Sequence, residues 1–192
     1  MKLKFISLIA CFAVMAIAFS CTKSEQATEE STDTPTPQVT TISVDNLMAN
    51  PKAYANQTIA VEGLCKHICK HGGTKAFIVN PDTAAHSENV VFCVATDKIE
   101  GAFSPEAPGK LITAIGQWSP IVKTRSEIVA LANAEREAQS AEGDHCDSEA
   151  RANGTATQWL AELQLNCTAN GDTTLVVGYQ LEVSSYTLTA PK

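Results

Sequence analysis

The chain has little positive charge, no internal repeat and only one long apolar run. Its 192 residues carry 14 Lys and Arg against 21 Asp and Glu, a formal net charge of −7. Because this charge repels phosphate backbones, it argues against unaided nucleic-acid binding, although Lys66, Lys70 and Lys75 form a small basic patch. The missing repeat excludes a solenoid, and no apolar stretch after residue 20 is long enough to predict a membrane span.

Residues 1–20 have the organisation of a secretory signal peptide. Lys2 and Lys4 form a basic n-region, and an apolar run extends over Phe5–Phe19. The segment ends in Ala-Phe-Ser followed by Cys21, which resembles the lipobox of bacterial lipoproteins. The resemblance implies cleavage before Cys21, a diacylglycerol on its sulfur and an acylated amino terminus with palmitate-type chains. Several acyl chains would hold the protein stably at a membrane; the alternative is an ordinary cleaved signal with a chance cysteine.

Residues 21–41 predict a disordered acidic tether. Ser, Thr, Glu, Asp and Gln dominate it, and large apolar side chains are absent until Val39. Such a segment cannot bury enough surface to offset its chain entropy. The acidic residues soon after Cys21 resemble the surface-export signals of Bacteroidota lipoproteins, and the alternative is a solvated spacer. We therefore expect a lipid-anchored protein of the bacterial cell envelope, at the outer membrane, on either its periplasmic or its surface-exposed side.

Residues 42–192 remain for the folded part, enough for one domain with a hydrophobic core. Ile42–Tyr54 predicts one short helix before a turn. Runs of β-branched and apolar residues bounded by turn signals predict five strands, at 58–69, 75–80, 89–96, 110–118 and 178–188. Gly63 lies in the middle of the first strand and predicts a bulge or a sharp bend there.

Residues 124–165 predict a helical insertion between the fourth and fifth strands. Thr124-Arg125-Ser126-Glu127 fits a capping box. Apolar residues then recur near helical spacing until Gly143 stops the pattern. A shorter helical pattern follows around Thr157–Gln164. The predicted fold class is therefore mainly β with a helical insertion between strands 4 and 5.

The five strands predict an antiparallel sheet with a long, bent first strand, which is the arrangement of an OB-fold barrel, because one strand must serve both halves. Three segments carry a resemblance to the OB-fold, nucleic-acid-binding-like lipoproteins of Bacteroidota: Asn50-Pro51 through Gly63, Cys69-Lys70-His71-Gly72-Gly73 and Phe77-Ile78-Val79. The similarity covers roughly residues 42–118, and the last strand matches loosely. It implies the fold and the location in the envelope. It implies no activity, because fold does not fix function.

The end of the first strand carries alternating thiols and imidazoles, at Cys65, His67, Cys69 and His71. These are ligand types for zinc or copper. On a regular strand they share one face, but the first and last lie about 20 Å apart, too far for one ion. A metal site would therefore take an adjacent pair, such as Cys69 with His67 or His71, and complete its ligands from a neighbouring strand, where Cys93 is the candidate. The alternative is that the thiols are small core residues and the histidines orient a turn.

The cysteines beyond Cys21 are odd in number, so an oxidising compartment leaves at least one thiol unpaired, metal-bound or reactive. Cys146 and Cys167 both flank the helical insertion. A disulfide between them would close a loop of about 20 residues and stabilise the fold by ~3 kcal/mol. Cys93 with Cys65 or Cys69 is an alternative pairing if those strands adjoin.

Together these patterns predict a membrane-anchored envelope lipoprotein that acts as an OB-fold binding or assembly module without catalytic activity. Its ligand face would be the exposed surface of strands two and three, near Lys75, Phe77 and Val79. Its partners would be the membrane, through the N-terminal lipid, and an unidentified envelope protein or small ligand. Two alternatives stay open: an envelope metal-binding protein that uses the Cys and His residues of the first hairpin, and a binder of single-stranded nucleic acid or oligosaccharide.

Overall fold

The protein is mainly β, with one six-stranded sheet in the order β1-β2-β3-β4-β6-β5. The computed structural model describes residues 39–86, 88–138, 149, 152–166 and 173–190, all of them in a single contact unit. The strands of these segments are β1 (Thr41–Ser43), β2 (Thr58–Ile68), β3 (Lys75–Val79), β4 (Val90–Ala95), β5 (Leu111–Thr124) and β6 (Thr174–Thr189). Their helices are α1 (Val44–Ala49), α2 (Arg125–Ala138) and α3 (Ala156–Asn166), and short 3-10 helices lie at Pro51–Tyr54, Pro81–Thr83 and Asp97–Ile99.

The amino-terminal part of the domain differs from the single helix that the sequence predicts. A strand comes first, and the helix α1 that follows it has only six residues. Ser43 begins the helix, because its Oγ accepts a hydrogen bond from the Asn46 N–H (3.4 Å). Pro51 begins a separate 3-10 helix, as expected for a residue that fits a first helical turn but cannot continue a preceding one.

The strand β1 is a sixth strand, which the predicted five-stranded sheet does not contain. It lies parallel to β2, with Thr41–Ser43 opposite Ala60–Glu62. The first half of β2 is free to pair with β1, because β3 pairs with β2 only from Leu64 onward. Three residues are too few for an alternating pattern to reveal a strand in the sequence.

The long strand β2 pairs with different neighbours along its length. Its first half pairs antiparallel with β5 and its second half with β3, and the change of partner falls at Leu64. At the adjacent Gly63, a Cβ atom would lie 2.5 Å from Ile78 Cγ2 and 2.6 Å from Val79 O. Only glycine fits at these separations, so Gly63 allows β2 and β3 to approach each other closely. The bulge predicted there is displaced, since the register of β2 shifts at Lys66.

The remaining pairings make the sheet mixed, whereas an antiparallel sheet was predicted. β3 pairs antiparallel with β4, and β5 with β6. β4 and β6 run parallel, with Cys93–Ala95 opposite Leu181–Val183. The pairings therefore pass from β2 through β3, β4, β6 and β5 and return to β2. Before Leu181, β6 continues beside β5 alone, as far as Thr174 opposite Thr124.

The helices α2 and α3 lie between β5 and β6, where the sequence predicts a helical insertion. The predicted capping box is complete: the Thr124 N–H donates to Glu127 Oε2 (2.7 Å), and the Glu127 N–H donates to Thr124 Oγ1 (3.3 Å). The Glu135 carboxylate of α2 accepts the backbone N–H groups of Ala156 and Thr157 at the start of α3 (2.7 and 3.1 Å). Because a carboxylate complements the positive end of a helix, the two helices fix each other.

The apolar side chains pack in separate clusters. The main core takes side chains from the strands and from α1, among them Leu47, Val61, Ile78, Trp118 and Leu181. A second cluster lies on the opposite face of β3 and β4, because alternate side chains of a strand point to opposite faces; its members are Phe77, Val79, Val90 and Phe92. A third joins the insertion to β6 through Ile128, Leu163 and Val177. No helix of the segments described here has the length and apolar character needed to cross a membrane.

Replacing Gly63 by alanine tests the close approach of β2 and β3. The new Cβ would collide with Ile78 and with the backbone of Val79, so we expect G63A to lower the free energy of unfolding by roughly 1–3 kcal/mol. Urea denaturation followed by circular dichroism measures this change. E62A, at the neighbouring exposed position, is the control and should stay within about 0.5 kcal/mol of the wild type. Equal stability of G63A and wild type would contradict the described packing.

Candidate functional site

The thiols and imidazoles at the end of β2 do not share one face of the strand. Cys65 pairs with Ile78, and His67 pairs with the adjacent Phe77, so Lys66 is an extra residue in a β-bulge. An extra residue reverses the alternation of the side chains that follow it. Cys65 is buried in the main core, whereas the His67 ring stacks on Phe77 of the opposite face, with centroids 5.7 Å apart. The prediction of a single Cys/His face is therefore wrong.

The turn after β2 brings Cys69 and His71 together. Cys69 Sγ lies 3.8 Å from His71 Nδ1, and Cys69 is buried. The Gly73 N–H donates to Cys69 O (3.2 Å), and Gly73 O accepts the Phe103 N–H (2.9 Å). Gly72 and Gly73 have φ values of +81° and +66°, which side chains other than glycine rarely adopt. The turn is thus fixed by its own backbone and by the loop at Phe103.

The thiols of Cys65 and Cys93 belong to the main core. Burial raises the pKa of Cys65 from 9.0 to about 11, against a smaller lowering by a backbone hydrogen bond of His67. Burial is also the main cause that raises the pKa of Cys93, and the proximity of Cys65 adds to it. Thiols held in the protonated form act as small apolar residues and are poor nucleophiles and metal ligands. Both are free thiols, and β3 separates their strands.

The structure does not assemble the metal site that the sequence suggests. Of the four candidates, it brings together Cys69 and His71, whereas His67 lies on the other face of the sheet and Cys93 lies in the core. Within the segments given above, no group of three or more His, Cys, Asp or Glu side chains could hold a metal ion. Structural zinc takes four protein ligands, and one Cys/His pair supplies two.

The predicted ligand face near Lys75, Phe77 and Val79 is not exposed. Phe77 is 1% and Val79 0% accessible, so neither can meet a ligand from solvent as the structure stands. Only Lys75 keeps partial exposure. Expecting these strands to present an open ligand surface was therefore wrong.

The cover over this face comes from distant parts of the chain. Packed against the second cluster are side chains of the loop after β3, of β5 and of the segment before α3: Ala84, Ile121 and Ala152. Lys75 Nζ lies 2.5 Å from Glu149 Oε2 and 5.7 Å from the centroid of the Phe92 ring. The ion pair is partly exposed and contributes little stability. The apolar contacts of Ala84, Ile121 and Ala152 therefore supply most of the free energy that holds the cover in place.

A cavity of about 210 Å³ lies where β4 and β6 diverge. The two strands pair from Cys93 and Leu181 onward, and before that point β6 stays with β5. The walls of the cavity include Met48, Val90, Trp118, Val177 and Tyr179. The rings of Trp118 and Tyr179 are nearly parallel, with centroids 5.6 Å apart and an interplanar angle of 10°. A larger, open recess of about 460 Å³ lies between Lys98 and Ser104, beside Tyr186.

Asn153 also lines the cavity, and sequence analysis did not single it out as a site residue. Its Oδ1 accepts the Tyr179 N–H (3.3 Å), and its main-chain O accepts Trp159 Nε1–H (2.8 Å). Its Nδ2 is buried and is the one such side-chain nitrogen or oxygen without a hydrogen-bond partner in the part of the chain that the structure covers. No spacing in the sequence signals this position, because the cavity depends on how β4 and β6 separate.

Three further predicted residues lie outside the described segments. These are the lipidation residue Cys21 and the proposed disulfide partners Cys146 and Cys167. Lipidation at Cys21 and the disulfide between Cys146 and Cys167 therefore stay predictions.

The fold and the site define a mainly β protein with a mixed sheet, buried thiols and a small, largely apolar cavity. Comparisons with protein-family models, with curated proteins and with solved structures gave no match to this chain.

The raised pKa of the buried Cys65 thiol predicts a loss of stability at alkaline pH. Between about pH 9 and pH 11 the unfolded state releases a proton that the folded state keeps, so the free energy of unfolding should fall as the pH rises. Urea denaturation at several pH values measures the slope, and C65A should show a shallower decline than the wild type. V91A removes packing from the same core without removing a titrating group, so it should keep the wild-type slope. Identical slopes for wild type and C65A would refute the effect.

Proposed function

We propose that this protein is a membrane-anchored cell-envelope lipoprotein whose domain is an OB-fold binding or assembly module without catalytic activity. The observation that carries the proposal is the double pairing of β2, which joins β5 along its first half and β3 along its second. A five-stranded OB barrel needs one long strand that serves both halves of the sheet. The return of the pairings to β2 through β4, β6 and β5 supports the same arrangement.

The amino-terminal sequence supports the membrane anchor. A basic start, an apolar run over Phe5–Phe19 and Cys21 directly after Ser20 resemble a lipoprotein signal. An acidic tether of about 20 residues would then separate the domain from the lipid, a reach on the order of 25 Å for a flexible chain. That distance leaves the module free to meet a partner near the membrane surface.

The buried face of β3 and β4 bears on how such a module would bind. OB barrels generally bind ligands on that face, and the cover by Ala84, Ile121 and Ala152 blocks it here. Together with the net charge of −7, this disfavours an extended nucleic-acid strand as the ligand. A compact ligand or a protein partner at the loops and at the cavity between β4 and β6 fits the described surface better.

Replacing Cys21 tests the anchor. In a bacterial host that processes lipoproteins, the wild-type chain should incorporate an alkyne analogue of palmitate and sediment with membranes, because the acyl chains attach through this residue. C21A should lose the label and most of its membrane association. C11A, a cysteine within the apolar run, is the matched control and should keep both. Labelling of C21A at the wild-type level would contradict the proposal.

A further inference from the structure

The turn after β2 holds a thiol and an imidazole at the separation of two ligands of one metal ion. Cys69 Sγ lies 3.8 Å from His71 Nδ1. Bonds of about 2.3 Å to sulfur and about 2.0 Å to nitrogen, the lengths that zinc makes, place two donor atoms at most about 4.3 Å apart. The pair lies inside that limit, so one ion can reach both atoms without a change in the backbone of the turn.

The thiol of Cys69 is open to solvent to a degree that the other thiols of the described segments are not. Cys65 and Cys93 are 0% exposed and belong to the main core. Cys69 is 9% exposed and lies outside the three apolar clusters of those segments. Its sulfur faces the ring of His71, which is an exposed residue. An ion would therefore reach the sulfur from the side of the imidazole.

The backbone of the turn holds the two ligands in place. The Cys69 N–H donates to Lys75 O (2.9 Å), and Cys69 O accepts the Gly73 N–H (3.2 Å). These two hydrogen bonds close the turn around His71 from both sides. A site whose ligands are already positioned loses less conformational entropy when it binds an ion.

The number and the charge of the donors select the class of ion. No group of three or more His, Cys, Asp or Glu side chains forms in the described part of the chain, so the pair lacks the further ligands of a zinc site. Thiolate and imidazole both suit copper, and thiolate selects Cu(I), which is stable with two donors. The exposed Lys70 stands between the two ligands in the sequence, and its charge opposes a divalent ion more strongly than a monovalent one.

The geometry points to a site for a soft ion: we propose that Cys69 Sγ and His71 Nδ1 together bind one Cu(I) ion. The thiol releases its proton as the sulfur–copper bond forms, and the neutral imidazole binds through the lone pair of Nδ1 while its proton stays on Nε2. Thiolate and Cu(I) together carry no net charge, which suits a sulfur that is only slightly exposed. This site goes beyond the binding module proposed above, and it depends neither on the lipid anchor nor on the assignment as an OB-fold.

Competition with a colorimetric Cu(I) chelator tests the site. The full chain in lipid nanodiscs is titrated without oxygen, and empty nanodiscs give the background. We expect the wild type to bind one equivalent of Cu(I) that C69A does not bind. H71A should bind this equivalent at least about tenfold more weakly, since loss of a group that only supports a metal ligand already costs about 10- to 100-fold in affinity. In the isotope-labelled chain, Cu(I) should shift the ring nitrogen signals of His71 and leave those of His67 unchanged.

Matched variants separate this pair from the other thiols and imidazoles. H67A makes the same change at the histidine on the other face of the sheet and should bind Cu(I) as the wild type does. C146A/C167A removes two thiols outside the described segments and should also keep the equivalent. If C69A does not fold, the comparison of H71A with H67A still decides the matter. Equal Cu(I) binding by the wild type, C69A and H71A, an equal loss in H71A and H67A, or binding of Zn(II) as tight as that of Cu(I) would overturn the proposal.

Discussion

The close approach of β2 and β3 at Gly63 is the constraint on which the rest of the fold depends. Because no Cβ atom stands between β2 and Ile78, the strand can leave β5 and join β3 within one residue, at Leu64. Both halves of the sheet then share one strand and enclose one main core. The same change of partner leaves the first half of β2 open to β1. A side chain at this position would force the two halves apart.

The bulge at Lys66 decides what the Cys and His residues can do. Cys65, which precedes the bulge, stays on the core face, where burial raises its pKa, and the bulge turns His67 to the face of Phe77. Cys69 and His71 then meet in the glycine turn rather than on the strand. A run that has the composition of a metal site is thereby divided among the core, the opposite face and a turn. Its main described role is structural.

Local patterns in the sequence predict most of the strands and helices, because their causes lie within a few residues. The Thr124–Glu127 capping box and the insertion between β5 and β6 are confirmed in the structure. Long-range packing could not be predicted in the same way. The cluster that contains Phe77 is packed against Ala152, which lies 75 positions further along the chain than Phe77. The cavity depends on the separation of β4 from β6, and no residue pattern near Asn153 records that separation.

The most direct test of this account is the set of cross-strand nuclear Overhauser contacts of Leu64 in the full chain. Leu64 is the residue of β2 that stands opposite both Val79 of β3 and Leu111 of β5. We expect backbone proton contacts from Leu64 to both partners in the same spectrum, since antiparallel neighbours lie about 5 Å apart. Contacts to only one of the two strands would show that β2 does not join the halves of the sheet, and the account would then be wrong.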